Sequence, residues 1–195
     1  MNKIIVLLLF FMVSGCGVKI QRNYENHVLT SNISPKIDVK IPNDFKLVNS
    51  SSGGGFFNRV SGFSGDYGKK EKYAFATYDQ KGKKEKLLSF YFYETNLSFS
   101  RTLKDEEYFN YGNSVVKGKN YSTHYYVSTF CNEGTKNCFI EKGYIRVMPP
   151  NDRRLFSMYY AEVIPCDKIQ NGRVSNELIQ AFEQRSTAFF EKIIQ

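Results

Sequence analysis

The 195-residue sequence has two histidines, no tryptophan and no apolar run longer than ten residues. Each absence excludes something. A membrane-crossing helix needs about 20 apolar residues, and no run approaches that length. The histidines, His27 and His124, are too far apart in sequence to form a metal-ligand motif. No G-x-S-x-G occurs, so nothing marks the nucleophile elbow of an acyl-transfer enzyme. "GFSGDYGKK", residues 62–70, has five residues between Gly62 and Gly68, and Lys70 follows Lys69. A phosphate-binding loop needs four residues there and a Ser or Thr after its lysine. "GGGFF" carries no dinucleotide fingerprint either. These absences point to a non-enzyme with no cofactor and no metal site. Hydrolase chemistry built on scattered acidic residues stays open as the alternative.

What is present is aromatic and basic. Phe and Tyr number 17 and 14, and together they make up 16% of the chain. Such residues favour strands. The formal charge is +8, which suits anionic lipid headgroups or polyanionic surface sugars. Nucleic acid is another partner of basic chains, but the N-terminus argues for a location away from it.

That N-terminus reads Met-Asn-Lys, then ten apolar residues from Ile4 to Val13, then Ser14-Gly15-Cys16. Ten residues make a helix of roughly 15 Å, half the bilayer's hydrocarbon core. The run is therefore a signal-peptide core rather than a span. "VSGC", Val13 to Cys16, resembles the bacterial lipobox: an aliphatic residue, two small ones, then cysteine. The resemblance implies that residues 1–15 are a lipoprotein signal peptide. Cys16 then receives the lipid and becomes the mature N-terminus. It also implies membrane attachment through that lipid on the exported side. Gly17, where an Asp would signal retention, implies the outer membrane facing the periplasm. Residues 16–36 read as the lipidated cysteine and a flexible polar tether, with His27 solvated in it. Residues 37–195 read as a single soluble domain.

Within that domain, Ile37, Val39 and Ile41 alternate with polar residues, the pattern of a half-buried strand. The Ser/Gly-rich stretch 49–58 reads as a loop. Strands are predicted over 73–78, 87–94, 121–131, 138–148 and 155–164, with a charged turn near Gly82. Tyr73, Phe75 and Thr77 share one face, as do Leu88, Phe90 and Phe92. Aromatics on both faces of several strands predict a sheet with a helix on one side and loops or a partner partly covering the other. Residues 98–112 read as a short helix, with Asp105-Glu106-Glu107 on its solvated side.

Leu178, Ile179, Phe182, Phe189, Phe190 and Ile193 recur at helical spacing in 175–194. Ser175 is the predicted N-cap, with Glu177 in the first turn. The expected fold class is thus α+β, a mostly antiparallel sheet of about six or seven strands covered by a C-terminal amphipathic helix. The opening strand ending in "IPNDF" and the closing aromatic helix loosely resemble PsbP-like domains, a likeness that bears on fold alone.

With Cys16 assigned to lipid, three cysteines remain. Export is compatible with disulfides, and "CNEGTKNC" places Cys131 and Cys138 at the two ends of a hairpin loop. A Cys131–Cys138 bridge is the expectation. Cys166 is left buried, paired with another chain, or substituting for one hairpin partner. The basic clusters at 68–72 and 81–86 are expected to lie in turns at opposite ends of one strand.

Overall fold

The computed structural model describes residues 22–56, 63–64, 67–96, 98–101, 109–132, 135–149 and 151–195. The lipobox, Cys16 and the acidic cluster 105–107 lie outside them. A hairpin comes first: β1 (Arg22–Glu25) and β2 (Val28–Ser31), followed by β3 (Ile37–Lys40). These three form one antiparallel sheet in the order β1-β2-β3. The large sheet contains β4 (Lys46–Phe56), β6 (Tyr67–Tyr78), β7 (Lys84–Thr95), β9 (Phe109–Val116), β10 (Lys119–Asn132), β11 (Thr135–Met148) and β12 (Arg154–Ile164). Short strands β5 (Phe63–Ser64) and β8 (Ser100–Arg101) pair with each other. The chain closes with a 3-10 turn, Cys166–Lys168, and helix α1 (Asn176–Ile193).

The large sheet is antiparallel throughout, in the order β4-β6-β7-β12-β11-β10-β9. One face is roofed by α1 and the small sheet. On it, Phe75, Leu88, Phe90, Phe156, Met158 and Tyr144 are fully buried or nearly so, beneath Phe182 and Phe190 of the helix. Strand alternation supplies this face: Phe75 stands opposite Leu88, Phe90 opposite Met158, and Met158 opposite Tyr144. The expected facial sets of β6 and β7 are therefore present as read. The helix buries Ile179, Phe182, Phe190 and Ile193, and the Ser175 hydroxyl accepts a hydrogen bond from the Leu178 amide at 3.3 Å. The other face holds a second, smaller cluster: Tyr93, Phe99, Ile145 and Leu155. Phe99 comes from the loop after β7, so a loop does partly cover this side.

Four expectations are corrected. Residues 22–31 are not tether. Asn26 and His27 both take positive φ, 50° and 61°, and Glu25 pairs with Val28 across them. This is the two-residue hairpin turn matched to strand twist. Leu29 is fully buried and the Tyr24 ring packs on Phe75, so the hairpin belongs to the core. His27 is exposed as expected, at the tip of that turn.

The Ser/Gly stretch is strand, not loop. Asn49 to Phe56 pair in register with Ala74 to Tyr67, through a backbone ladder that needs no apolar alternation. The segment 98–112 is not a helix where described. Ser100–Arg101 and Phe109–Val116 are strands, and residues 102–108 lie outside the described set. The two-residue turn Lys117-Gly118 joins β9 to β10.

The fourth correction is the disulfide. Cys138 bonds to Cys166, with Cα atoms 5.3 Å apart, rather than to Cys131. In the β10–β11 ladder Cys138 faces Thr129, while Cys131 faces Lys136. The two hairpin cysteines are thus diagonal, and diagonal Cα atoms stand about 7–8 Å apart, too far for a bridge. Ile164 is the direct neighbour of Cys138 on the other side, and Pro165 turns the chain so that Cys166 folds over it.

Candidate functional site

The corresponding ends of β6, β7 and β12 meet at one edge of the large sheet, and a cleft of about 890 Å³ opens there. Its lining includes Tyr67, Gly68 and Lys69 of β6, Glu94, Thr95 and Asn96 at the end of β7, and Arg153 and Arg154 where β12 begins. Gly54 of β4 and Ile33 after β2 add to it. Backbone hydrogen bonds fix the walls. The Thr95 amide donates to the Arg153 carbonyl at 2.8 Å, and the Asn96 amide donates to the Tyr67 carbonyl at 3.2 Å. Gly68 is required: a Cβ there would collide with the Glu94 carbonyl oxygen.

Chemically the cleft is basic and amphipathic. Lys69 and Arg153 are exposed. Arg154 is shared with Glu94 through Nε and Nη2 at 3.2 and 3.0 Å, and both side chains stay partly accessible. Tyr67 is 61% exposed, the most accessible large hydrophobic residue among those described. Asn96 and Asn151 add amide donors and acceptors. The arrangement can hold anionic or hydroxyl-rich groups by charge-assisted and neutral hydrogen bonds beside an aromatic ring.

The other face of β6 continues the positive character. Lys70 and Lys72 place their ammonium groups over the Tyr91 ring at 5.0 and 5.3 Å, and Lys70 also lies 5.5 Å from the Tyr93 ring. Burial pulls the Lys70 ammonium below the ordinary lysine range, and the Lys72 charge adds to it. Farther along this face, half-buried Glu141 has its carboxyl pushed up to about 7 by burial, against the pull of Lys72. His124 is buried there and leans with Tyr159 over Gly143. Among the described residues, no group of three His, Cys, Asp or Glu side chains is placed to hold a metal ion.

The sequence had placed 68–72 in a turn. The structure starts β6 at Tyr67, so those lysines stand on the sheet itself. Arg153 and Arg154, in "NDRR" after the Pro-Pro pair, were not singled out, and only their charge could have flagged them. No sequence period reveals Lys142 either. It stands on the helix-covered face of β11, fully buried, with its ammonium 2.8 Å from Glu183 and 3.0 Å from the Ser114 hydroxyl. Tyr125 also donates to Glu183, at 2.9 Å. This group ties helix to sheet, and its Ser114 and Glu183 also line a shallow depression between β9 and the helix. No family model matches the chain, and no curated protein or solved structure matches it.

Proposed function

We propose that the protein is a lipid-anchored binding or assembly domain of the bacterial cell envelope, with the basic end of its large sheet as the binding surface. The observation that carries this reading is the cleft where Lys69, Arg153 and Arg154 surround an exposed Tyr67 and two asparagines. Cations and amide groups around an open aromatic ring suit a polyanionic or acidic partner. The lipobox-like "VSGC" supplies the anchor: Cys16 carries the acyl chains, and two or more chains hold where one is marginal. Outer-membrane attachment facing the periplasm follows from Gly17 on the same resemblance. The domain works by holding a partner near the membrane rather than by chemistry on a substrate.

Two measurements test the reading. Cys16→Ala should abolish acyl labelling and move the protein from the membrane to the soluble fraction; unchanged labelling would refute the anchor. Crosslinking in native membranes, with mass spectrometry of the captured species, lipid or protein, should yield adducts joined near Lys69 and lose them in Lys69→Glu/Arg153→Glu. Capture that is indifferent to the charge reversal would refute the assigned surface.

A further inference from the structure

The chain enters the fold beside the basic cleft, and its direction there is fixed. Arg22, the first described residue, sets Nη1 2.7 Å from Glu71 Oε1 and its guanidinium carbon 4.3 Å from the centre of the Phe92 ring. Two residues later the Tyr24 ring meets Phe75 edge-on at 5.0 Å. From Tyr24 back to Arg22 the contacts therefore move along β6 from Phe75 to Glu71. The next positions of β6 in that direction are Lys70, Lys69 and Gly68, at the cleft. Read toward its N-terminus, β1 aims at the basic end.

Arg22 lies six positions after Cys16, with five residues between them. A fully extended chain spans at most about 3.3–3.6 Å per residue, so this link reaches about 20 Å at most. The tether expected from sequence, 20 residues long, would have left orientation free. The shorter link does not. It holds the Arg22 corner close to whatever surface carries the lipid.

We propose that the cleft end of the sheet docks on the anionic headgroups of the bilayer that holds the anchor. This deepens the preceding reading and rests on its lipidated Cys16. Lys69 and Arg153 face outward at this end, within reach of a surface potential that decays over about 8–10 Å. Tyr67 adds an exposed ring with a polar tip, a residue type enriched at membrane–water interfaces. Acyl chains and a basic patch are the two signals that together make peripheral attachment firm. The opposite end of β6 supplies an internal comparison. Lys81, Lys83 and Lys84 surround the turn at Gly82, exposed and just as basic. They lie on the order of 35 Å from Tyr67 along the strand, away from the anchor.

The experiment uses the full lipoprotein reconstituted in vesicles. One set is phosphatidylcholine alone, and the other is an equal mixture with phosphatidylglycerol. Lysines are labelled with an amine-reactive reagent and each site is read by mass spectrometry. Labelling of Lys69 should fall by about three-fold or more in the anionic vesicles, with Lys81, Lys83 and Lys84 unchanged. Arg153→Glu should weaken that protection, and raised salt should remove it. Equal labelling of Lys69 in both vesicle types, on protein whose intact mass carries the acyl chains, overturns the docking and leaves the anchor standing. An intact mass without acyl chains overturns the anchor and the docking together. Protection of Lys69 in native membranes but in neither vesicle type assigns the surface to another envelope component and overturns lipid docking.

Discussion

The Lys142 ammonium lies 2.8 Å from the Glu183 carboxylate, at the end of a side chain with no exposed surface. The lysine comes from the central part of the sheet and the glutamate from the helix above it. The Tyr144 ring also lies beneath the ammonium at 4.6 Å, and the Tyr144 hydroxyl reaches Ser186 at 2.9 Å. This polar cluster helps fix where the helix sits, together with the Arg185–Glu162 ion pair to β12 at 2.8 Å and the aromatic and aliphatic contacts around it.

Glu183→Leu should strand that ammonium. Breaking a buried ion pair costs about 3–5 kcal/mol. The Glu183 side chain is 46% exposed, so water can partly replace it and the expected loss is about 2–4 kcal/mol. Lys142→Met combined with Glu183→Leu should recover most of the loss. Urea unfolding of the two single variants and the double variant checks this through their coupling energy.

Acid should loosen the same contact. Burial works against the Glu183 carboxylate, but hydrogen bonds from Lys142, with help from Tyr125 and Ser114, outweigh it and hold the carboxyl below its ordinary value of 4.5. A folded-state value below the unfolded one means that its contribution is present above about pH 4.5. That contribution is lost as pH falls through the folded value. Glu183→Gln should therefore flatten the acid limb of the melting temperature against pH.

Glu141 should act in the opposite sense. Its carboxyl is raised from 4.5 to about 7. Its stabilising share is complete below about pH 4.5 and is lost as pH rises through about 7, where the folded chain must carry the charge. Thermal melts should show Glu141→Gln gaining on the natural chain at pH 8 relative to pH 5. Equal differences at both pH values would contradict the assignment.

Two glycines should respond oppositely to alanine. A Cβ on Gly143 would lie 2.6 Å from two His124 ring atoms and 2.8 Å from Tyr159. Gly143→Ala should cost about 1–3 kcal/mol through the forced movement of the buried His124 ring and the half-buried Tyr159 ring. A Cβ on Gly53 meets nothing within 4 Å, so Gly53→Ala should be neutral or stabilising by about 0.5–1 kcal/mol. Denaturation midpoints of the two variants measure the contrast.

The disulfide makes a prediction in mass and in stability. Reduction should add two daltons assignable to Cys138 and Cys166, and peptide mapping should find no Cys131–Cys138 linkage. The bridge spans a sequence separation of 28, which on the chain-entropy model contributes about 3–4 kcal/mol. Cys166→Ser should lower the unfolding midpoint accordingly.

What could be read from sequence followed side-chain periodicity. Phe75, Leu88, Phe90, Phe182 and Phe190 announce their faces because burial on one side imposes a period of two or of three to four. The helix cap at Ser175 is a local signal and was equally legible. The elements missed are those whose pairing does not depend on apolar alternation. Ser50 to Gly55 pair with β6 through backbone hydrogen bonds, which require no apolar alternation. Asn26-His27 encodes a turn in two residues that resemble polar linker. Cys166 finds Cys138 only because β12 runs beside β11, a fact of topology rather than of spacing. The cleft was invisible for the same reason: Lys69, Glu94 and Arg154 are far apart in sequence and meet through register.

The order β4-β6-β7-β12-β11-β10-β9 has a consequence for how the molecule is made. Two three-stranded meanders, one on each side, share no ladder with one another. Among the described residues, β12 is the last strand and the only one that hydrogen-bonds to both. Until Arg154 to Ile164 is available, β7 and β11 are both open edges, each with an aromatic face awaiting cover. The helix that provides much of that cover comes later still. The cooperative unit is therefore completed at its centre rather than extended from one end, and the earlier two-thirds of the polypeptide has no finished core of its own. Contacts of such long sequence separation close slowly. A growing chain of this topology stays incompletely folded until nearly all of it has been synthesised.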